Sequence, residues 1–197
     1  MDILKIGGAL VFLGGGQFFI FLIVAEALYP GYNISTNVIS DLGATCNPNC
    51  VIHQPSSIIF NSSVIVLGIL AFIGSCFAFM KGYHLVAILM MIASMGAIGI
   101  GVFPETYGKL HLLVSGITFI FTGISAIVSY WISKSPMSFI CVALGLITLS
   151  VFAFYVSAIF FGSGYLGLGQ GGLERVMTYA ALIWVIGIGA HFMGRTG

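Results

Sequence analysis

Charge is what this sequence has least of. Of 197 residues, six are Lys or Arg and five are Asp or Glu, for a formal net charge of +1. So few charges leave no basic patch with which to hold nucleic acid. Histidine is almost as sparse, and His53 and His111 fall at the opposite end of the apolar segments from His84 and His191. An all-histidine metal triad is therefore excluded, and a mixed set of His111, Asp41 and Glu105 has no ligand-spacing motif behind it. No metal or other cofactor is expected. Only four cysteines are present, with no pair at the two-residue spacing of redox enzymes; Cys76 and Cys141 sit in separate apolar runs and behave as small apolar residues. That argues against a thiol oxidoreductase. The centres of the apolar runs lack ionisable groups, Gln17 being the most polar, and no inverted repeat with broken helices is visible. A transporter with a proton or ion relay is disfavoured on both grounds. Nor is there a dinucleotide loop, because the 27 glycines are scattered through apolar segments, where small residues let helices approach closely.

What is abundant is apolar length. Apolar residues make up 59% of the chain, and the mean hydropathy is +1.16. Charges, prolines and polar clusters divide the sequence into six apolar runs at 5–29, 56–80, 85–103, 110–133, 137–162 and 174–194. Each is close to the ~20 residues that a ~30 Å hydrocarbon core requires. Backbone amides in lipid must be paired within the segment, and runs this long are too long for barrel strands. The expected fold is all-α: a single integral membrane domain, a polytopic bundle of six transmembrane helices with antiparallel neighbours joined by short loops. The first run follows Lys5 and ends near a small-x-small triplet at 25–27, but it is longer than a signal-peptide core and reads as a spanning helix.

Six spans place both termini on one side. With the termini cytoplasmic, Lys5, Lys81, Lys134 and Arg195 lie inside against Lys109 and Arg175 outside, which the positive-inside rule favours. The long connection 30–55 then faces the exterior. Cys46 and Cys50 suit an oxidising compartment and are expected to form a structural disulfide that holds the loop's shape, worth ~2 kcal/mol or less. Asn33-Ile34-Ser35 is a glycosylation acceptor on that side, whereas Asn61-Ser62-Ser63 lies within the second run. Glu26, Asp41, Glu105 and Glu174 against Lys109 and Arg175 leave the exterior at −2. The expected location is the cell membrane, multi-pass, with N-in/C-in topology.

Candidate chemistry gathers on the exterior. His111, Ser115, Thr118, Thr122, Ser125 and Ser129 follow steps of 4, 3, 4, 3 and 4, one polar helix face. Such a stripe faces protein or a cavity. Its inner members read as interhelical hydrogen bonding; His111 and Ser115 read either that way or as the mouth of a pocket. Asp41 sits in a short surface helix from about Thr36 to Leu42, closed by Gly43, where it either caps neighbouring groups or aims into the bundle mouth. Glu105 and Lys109 are four apart and able to pair. Glu174 at the start of the sixth run offsets the helix dipole. Glu26 reads as a snorkelling side chain. Arg175, beside a glycine-rich connection, is placed to meet a phosphate or carboxylate, with a lipid headgroup, Asp41 and water as possible partners.

Four stretches carry a resemblance: NVISDLG at 37–43, PSSIIFNSS at 55–63, GVFPE at 101–105 before His111, and GGLER at 171–175. Together they resemble the archaeal and bacterial family of small six-span proteins called domain of unknown function 998, over nearly the whole chain. A more distant likeness is to the damage-regulated autophagy modulators and the glycosylphosphatidylinositol lipid-remodelling proteins. It rests on Ile39-Ser40-Asp41, Gly43, Pro55, Phe60, His111, Gly116 and Phe119. The chain departs from them in its Cys46–Cys50 turn and in Leu42, where those relatives usually carry threonine. The resemblance implies a six-helix bundle with a structured outer loop and a lipid-linked role.

The leading expectation is an outward-facing polar pocket that engages a membrane lipid or lipid-linked headgroup. Asp41 and His111 would form its floor, Ser40, Asn61, Ser115 and Glu105 its polar neighbours, and Arg175 its anion contact. Were the protein an enzyme, His111 with Asp41 would be the acid–base pair for acyl or phosphoester transfer. The alternative is an accessory subunit of a larger membrane complex, docking through glycine surfaces at 7, 8 and 14–16 and at 96, 99 and 101.

Overall fold

The computed structural model describes residues 2–46, 49–162 and 164–195. It contains six long helices: α1 (Ile3–Leu28), α2 (Ser56–Met80), α3 (His84–Val102), α4 (Lys109–Val128, extended by a 3₁₀ turn over Ser129–Ile132), α5 (Met137–Phe161) and α6 (Gly169–Gly194). Among the described residues all six are long and apolar enough to cross a membrane, so the chain is a multi-pass integral membrane protein.

Local chemistry fixes the boundaries. The Asp2 carboxylate caps α1 by accepting the Leu4 N–H at 3.1 Å, and Lys81 reaches the same carboxylate at 2.8 Å, tying the start of α1 to the end of α2. Tyr29 precedes Pro30 and is extended, which ends α1; Phe103, before Pro104, leaves the helical region at φ −118°, ψ 73° and ends α3. Pro55 and Pro136 stand immediately before α2 and α5, where a missing N–H costs nothing. Gly162, left-handed at φ 68°, closes α5.

Consecutive helices pack side by side, and α6 returns to α1, so the bundle is a closed ring. Within it α5 is set outward, packing chiefly on its chain neighbours α4 and α6 and the 3₁₀ turn between α4 and α5. Close crossings are made by glycines. At the α1–α2 crossing a Cβ on Gly74 would come within 2.6 Å of the Gly7 carbonyl; at the α1–α6 crossing one on Gly8 would come within 2.6 Å of the Gly189 carbonyl. The core falls into two clusters. One, at the end carrying the termini, includes Leu4, Val11, Met90, Cys141, Trp184 and Phe192; the other, at the end carrying residues 30–55, includes Phe18, Leu22, Leu42, Phe60, Ile100 and Leu182.

The sixth helix starts five residues earlier than the apolar run indicates. Its glycine-rich opening is helical because it presses on the 34–37 turn: a Cβ on Gly169 or Gly171 would run into the carbonyls of Ser35 and Asn37, and the Gly171 N–H donates to Ser35 at 2.9 Å. The expected surface helix over 36–42 is shorter, a 3₁₀ turn at Ser40–Leu42. Gly43 is not left-handed there (φ −78°); it is small because Asn61 Oδ1 would lie 2.6 Å from its Cβ.

Candidate functional site

The connection 30–55 caps one end of the ring. Its first turn is built on asparagines: Asn33 Oδ1 accepts the Ser35 and Thr36 N–H groups at 2.9 and 3.2 Å, and Asn37 Oδ1 accepts the Asn33 N–H at 3.0 Å. Val38, Ile39, Leu42 and Ala44 are then driven inward and buried. Ser35 Oγ donates to the Leu168 carbonyl at 2.7 Å and Ser57 Oγ to the Gly43 carbonyl at 2.6 Å, pinning the connection to the starts of α6 and α2. Beyond it, β1 (Thr45–Cys46) and β2 (Cys50–Val51) form a two-stranded ribbon, with Cys46 opposite Cys50 and a disulfide between them. Asn47 and Pro48, inside that turn, lie outside the described residues.

Arg175 is the buried clasp of this cap. Its Nη2 meets Glu26 Oε1 at 2.7 Å and donates to Tyr32 Oη at 2.6 Å; Nη1 donates to the carbonyls of Ile34, Asn37 and Gly171 at 2.9–3.0 Å. The side chain expected to meet a headgroup is thus turned into the protein, paired with a glutamate that reads from sequence as merely snorkelling. Burial pushes the Tyr32 phenol well above its usual range, against the pull of the guanidinium.

Asp41 also serves the cap. Its carboxylate accepts from the Val38 N–H at 3.1 Å and from Asn37 Nδ2 at 2.9 Å, while its carbonyl accepts from Thr45 Oγ1. Ser40 donates to Glu105 at 2.5 Å, so Glu105 braces the cap rather than pairing with Lys109. Burial raises the Asp41 carboxyl above the ordinary range despite these bonds, and it raises Glu105 likewise, with the Asp41 charge adding to the effect.

His111 opens α4 with Nδ1 2.7 Å from the Phe103 carbonyl. A carbonyl only accepts, so Nδ1 carries the proton and Nε2 presents a lone pair, 3.5 Å from Ser115 Oγ. No direct hydrogen bond joins His111 to Asp41, the pair named from sequence as the acid–base unit of an enzyme. Asn61 donates to Ser57 at 3.2 Å and stays outside the cavity described next. Asn33 is exposed.

Inside the ring, beneath the cap, lies a cavity of about 100 Å³ lined by α1, α2, α3, α4, α6 and the cap, with no side chain from α5. Its walls are apolar, including Phe18, Phe60, Val64, Ala97, Leu182 and Val185; at the cap end Ser40, His111, Ser115, Glu174 and Thr178 converge. The α4 stripe divides here. His111, Ser115, Thr118 and Thr122 line the cavity, whereas Ser125 donates to the Val86 carbonyl of α3 at 3.3 Å and Ser129 to its own helix.

Sequence reasoning missed Glu174 and Thr178. Glu174 accepts the Ile39 N–H through Oε2 in a short bond, and its side chain lines the cavity. Thr178 is 8% exposed, and its hydroxyl has no hydrogen-bond partner. The signal was available: Glu174, Thr178, Ala181 and Val185 follow steps of 4, 3 and 4, a single face of α6.

The glycines that suggested external docking are mostly spent internally. A Cβ on Gly7, Gly8, Gly14, Gly15, Gly96, Gly99 or Gly101 would crowd a neighbouring helix, and of these surfaces only Gly16 faces open space.

No curated protein and no solved structure matches the chain. The family described as "Protein of unknown function (DUF998)" matches residues 12–191, the six-helix body with its cap and cavity, and the chain belongs to that family.

Proposed function

We propose that this protein engages a membrane lipid or lipid-linked molecule in the cavity beneath its cap, with the cap facing outward and both termini in the cytoplasm of a cell membrane. The observation that carries the reading is the cavity's two-ended chemistry. Its apolar walls fit hydrocarbon, and the polar groups at the cap end fit a head: Ser40, His111, Ser115, Glu174 and Thr178. Ser40, His111 and Ser115 support the reading by lining the cavity, as do Glu174 and Thr178, whereas Asp41 and Arg175 do not line it.

Native mass spectrometry of the protein extracted in mild detergent tests this. A retained lipid is expected in the wild type, and Ala97→Phe, which puts a ring into the cavity, should remove it. His111→Ala should weaken retention. Should Ala97→Phe fold and retain the same lipid to the same extent, the cavity reading is wrong. Ala93→Leu repeats the test with a smaller intrusion.

A further inference from the structure

The polar groups of the cavity differ in what they have left to offer. The Ser40 hydroxyl is committed to Glu105, the Ser94 hydroxyl to the Met90 carbonyl and the Thr118 hydroxyl to the Val114 carbonyl, so each presents only lone pairs. His111 spends its proton on Phe103 and presents the Nε2 lone pair, with the Ser115 hydroxyl a long 3.5 Å away. Glu174 presents a carboxyl oxygen. Among the described residues no Lys or Arg lines the cavity, and Arg175, next in sequence to Glu174, is held by Glu26, Tyr32 and three carbonyls. Thr178, buried and unpartnered, is a free hydroxyl aimed at the same space. The polar end is rich in acceptors and lacks a cation.

Size adds a second constraint. A volume of about 100 Å³ holds several waters or one hydrocarbon segment. Typical small-ligand pockets run to ~300–1,000 Å³, and a pair of acyl chains needs more than is present here.

Resting on the lipid-cavity reading, we infer that the occupant is a single-chain amphiphile whose polar end donates hydrogen bonds, a long-chain alcohol or amine, and not a carboxylate or phosphate. A hydroxyl or ammonium can donate to Glu174 and to His111 Nε2 together. An anionic head would be buried there with no compensating cation among the described lining residues, an unpaired charge that is selected against.

The test uses the full chain reconstituted in phosphatidylcholine nanodiscs and three photoreactive alkyl probes of equal length, ending in a hydroxyl, a primary amine or a carboxylate. Crosslinks are mapped by peptide mass spectrometry at the cavity residues Val64 and Leu182, normalised to labelling at lipid-facing Leu13, which corrects for membrane partition. The alcohol and amine probes should label the cavity about tenfold more than the carboxylate, the ratio expected from one charge-assisted hydrogen bond gained or lost. Glu174→Gln keeps an acceptor for Ile39 but cannot become the carboxylate that pairs with an ammonium; it should reduce amine labelling and spare alcohol labelling. The hydroxyl and amine arms distinguish the two sources of a donor head. Cavity labelling by the carboxylate equal to or above the others overturns this inference and leaves the lipid cavity standing. Absence of cavity labelling by all three probes overturns both.

Discussion

Arg175 shows why a membrane protein this poor in charge keeps one buried cation. Its fork of donors is filled by a carboxylate, a phenol and three carbonyls drawn from α1, the cap and α6, a set that an ammonium cannot satisfy. Arg175→Ala should destabilise the fold by about 3 kcal/mol, because the half-buried Glu26 and three carbonyls are left without their donor. Thermal unfolding in detergent reads this. Arg175→Lys should recover only part, and Glu26→Gln combined with Arg175→Ala should cost less than the sum of the single changes. Asp41 and Glu105 act in the opposite electrostatic sense. Their folded-state pKa values are raised by burial, so folding favours their neutral forms. Their contribution is full below the unfolded-state values near about 4 and declines as pH rises through the folded-state values. Protection factors of the Val38–Ala44 amides, corrected for the intrinsic pH dependence of exchange, should therefore be higher at acid pH than at neutrality, and Asp41→Asn should flatten that dependence. An unchanged slope would remove Asp41 as its source. At this scale the sequence was partly legible. His111 and Ser115 could be found because α4 repeats a polar step, but Glu26 and Arg175 are 149 residues apart and belong to no repeat.

At the scale of elements, legibility followed the punctuation. Proline and polar interruptions placed α2, α3 and α5 within a residue of their observed limits. The start of α6 was misjudged because glycine was taken as a loop signal, whereas at Gly171 it is the residue small enough to pass beneath the Asn37 carbonyl. The same distinction separates a glycine of α2 from one of α1. Gly74→Ala sets a methyl against the α1 backbone and should cost about 1–3 kcal/mol through overpacking. Gly16→Ala meets nothing within 4 Å and should leave stability unchanged or raise it by up to about 1 kcal/mol through helix propensity. Melting temperatures of the two variants, compared in one detergent, decide whether close approach or flexibility is the reason for the glycines. Equal losses would point to flexibility.

The whole molecule is a ring with one closed end, a property the sequence did not disclose, because apolar runs say how many helices there are and not how they close. The proposed orientation follows from charge, with the Cys46–Cys50 pair and the Asn33 acceptor in support. It is checked with Asn33→Cys, which a membrane-impermeant maleimide should label on intact cells; protection until lysis would invert the topology. The cap itself has a further consequence. Ile39 is bonded to α6, Ser35 and Gly43 are tied to the starts of α6 and α2, and Leu42 is fully buried. On the proposed lipid reading, a guest beneath so well fastened a cap would arrive sideways, from among the acyl chains, at the seam where α4 and α6 touch least and α5 packs behind them. Occupancy is then governed by the guest's mole fraction in the bilayer rather than by its aqueous concentration. Diluting the protein in buffer would leave the chamber filled, while adding excess empty micelles would drain it.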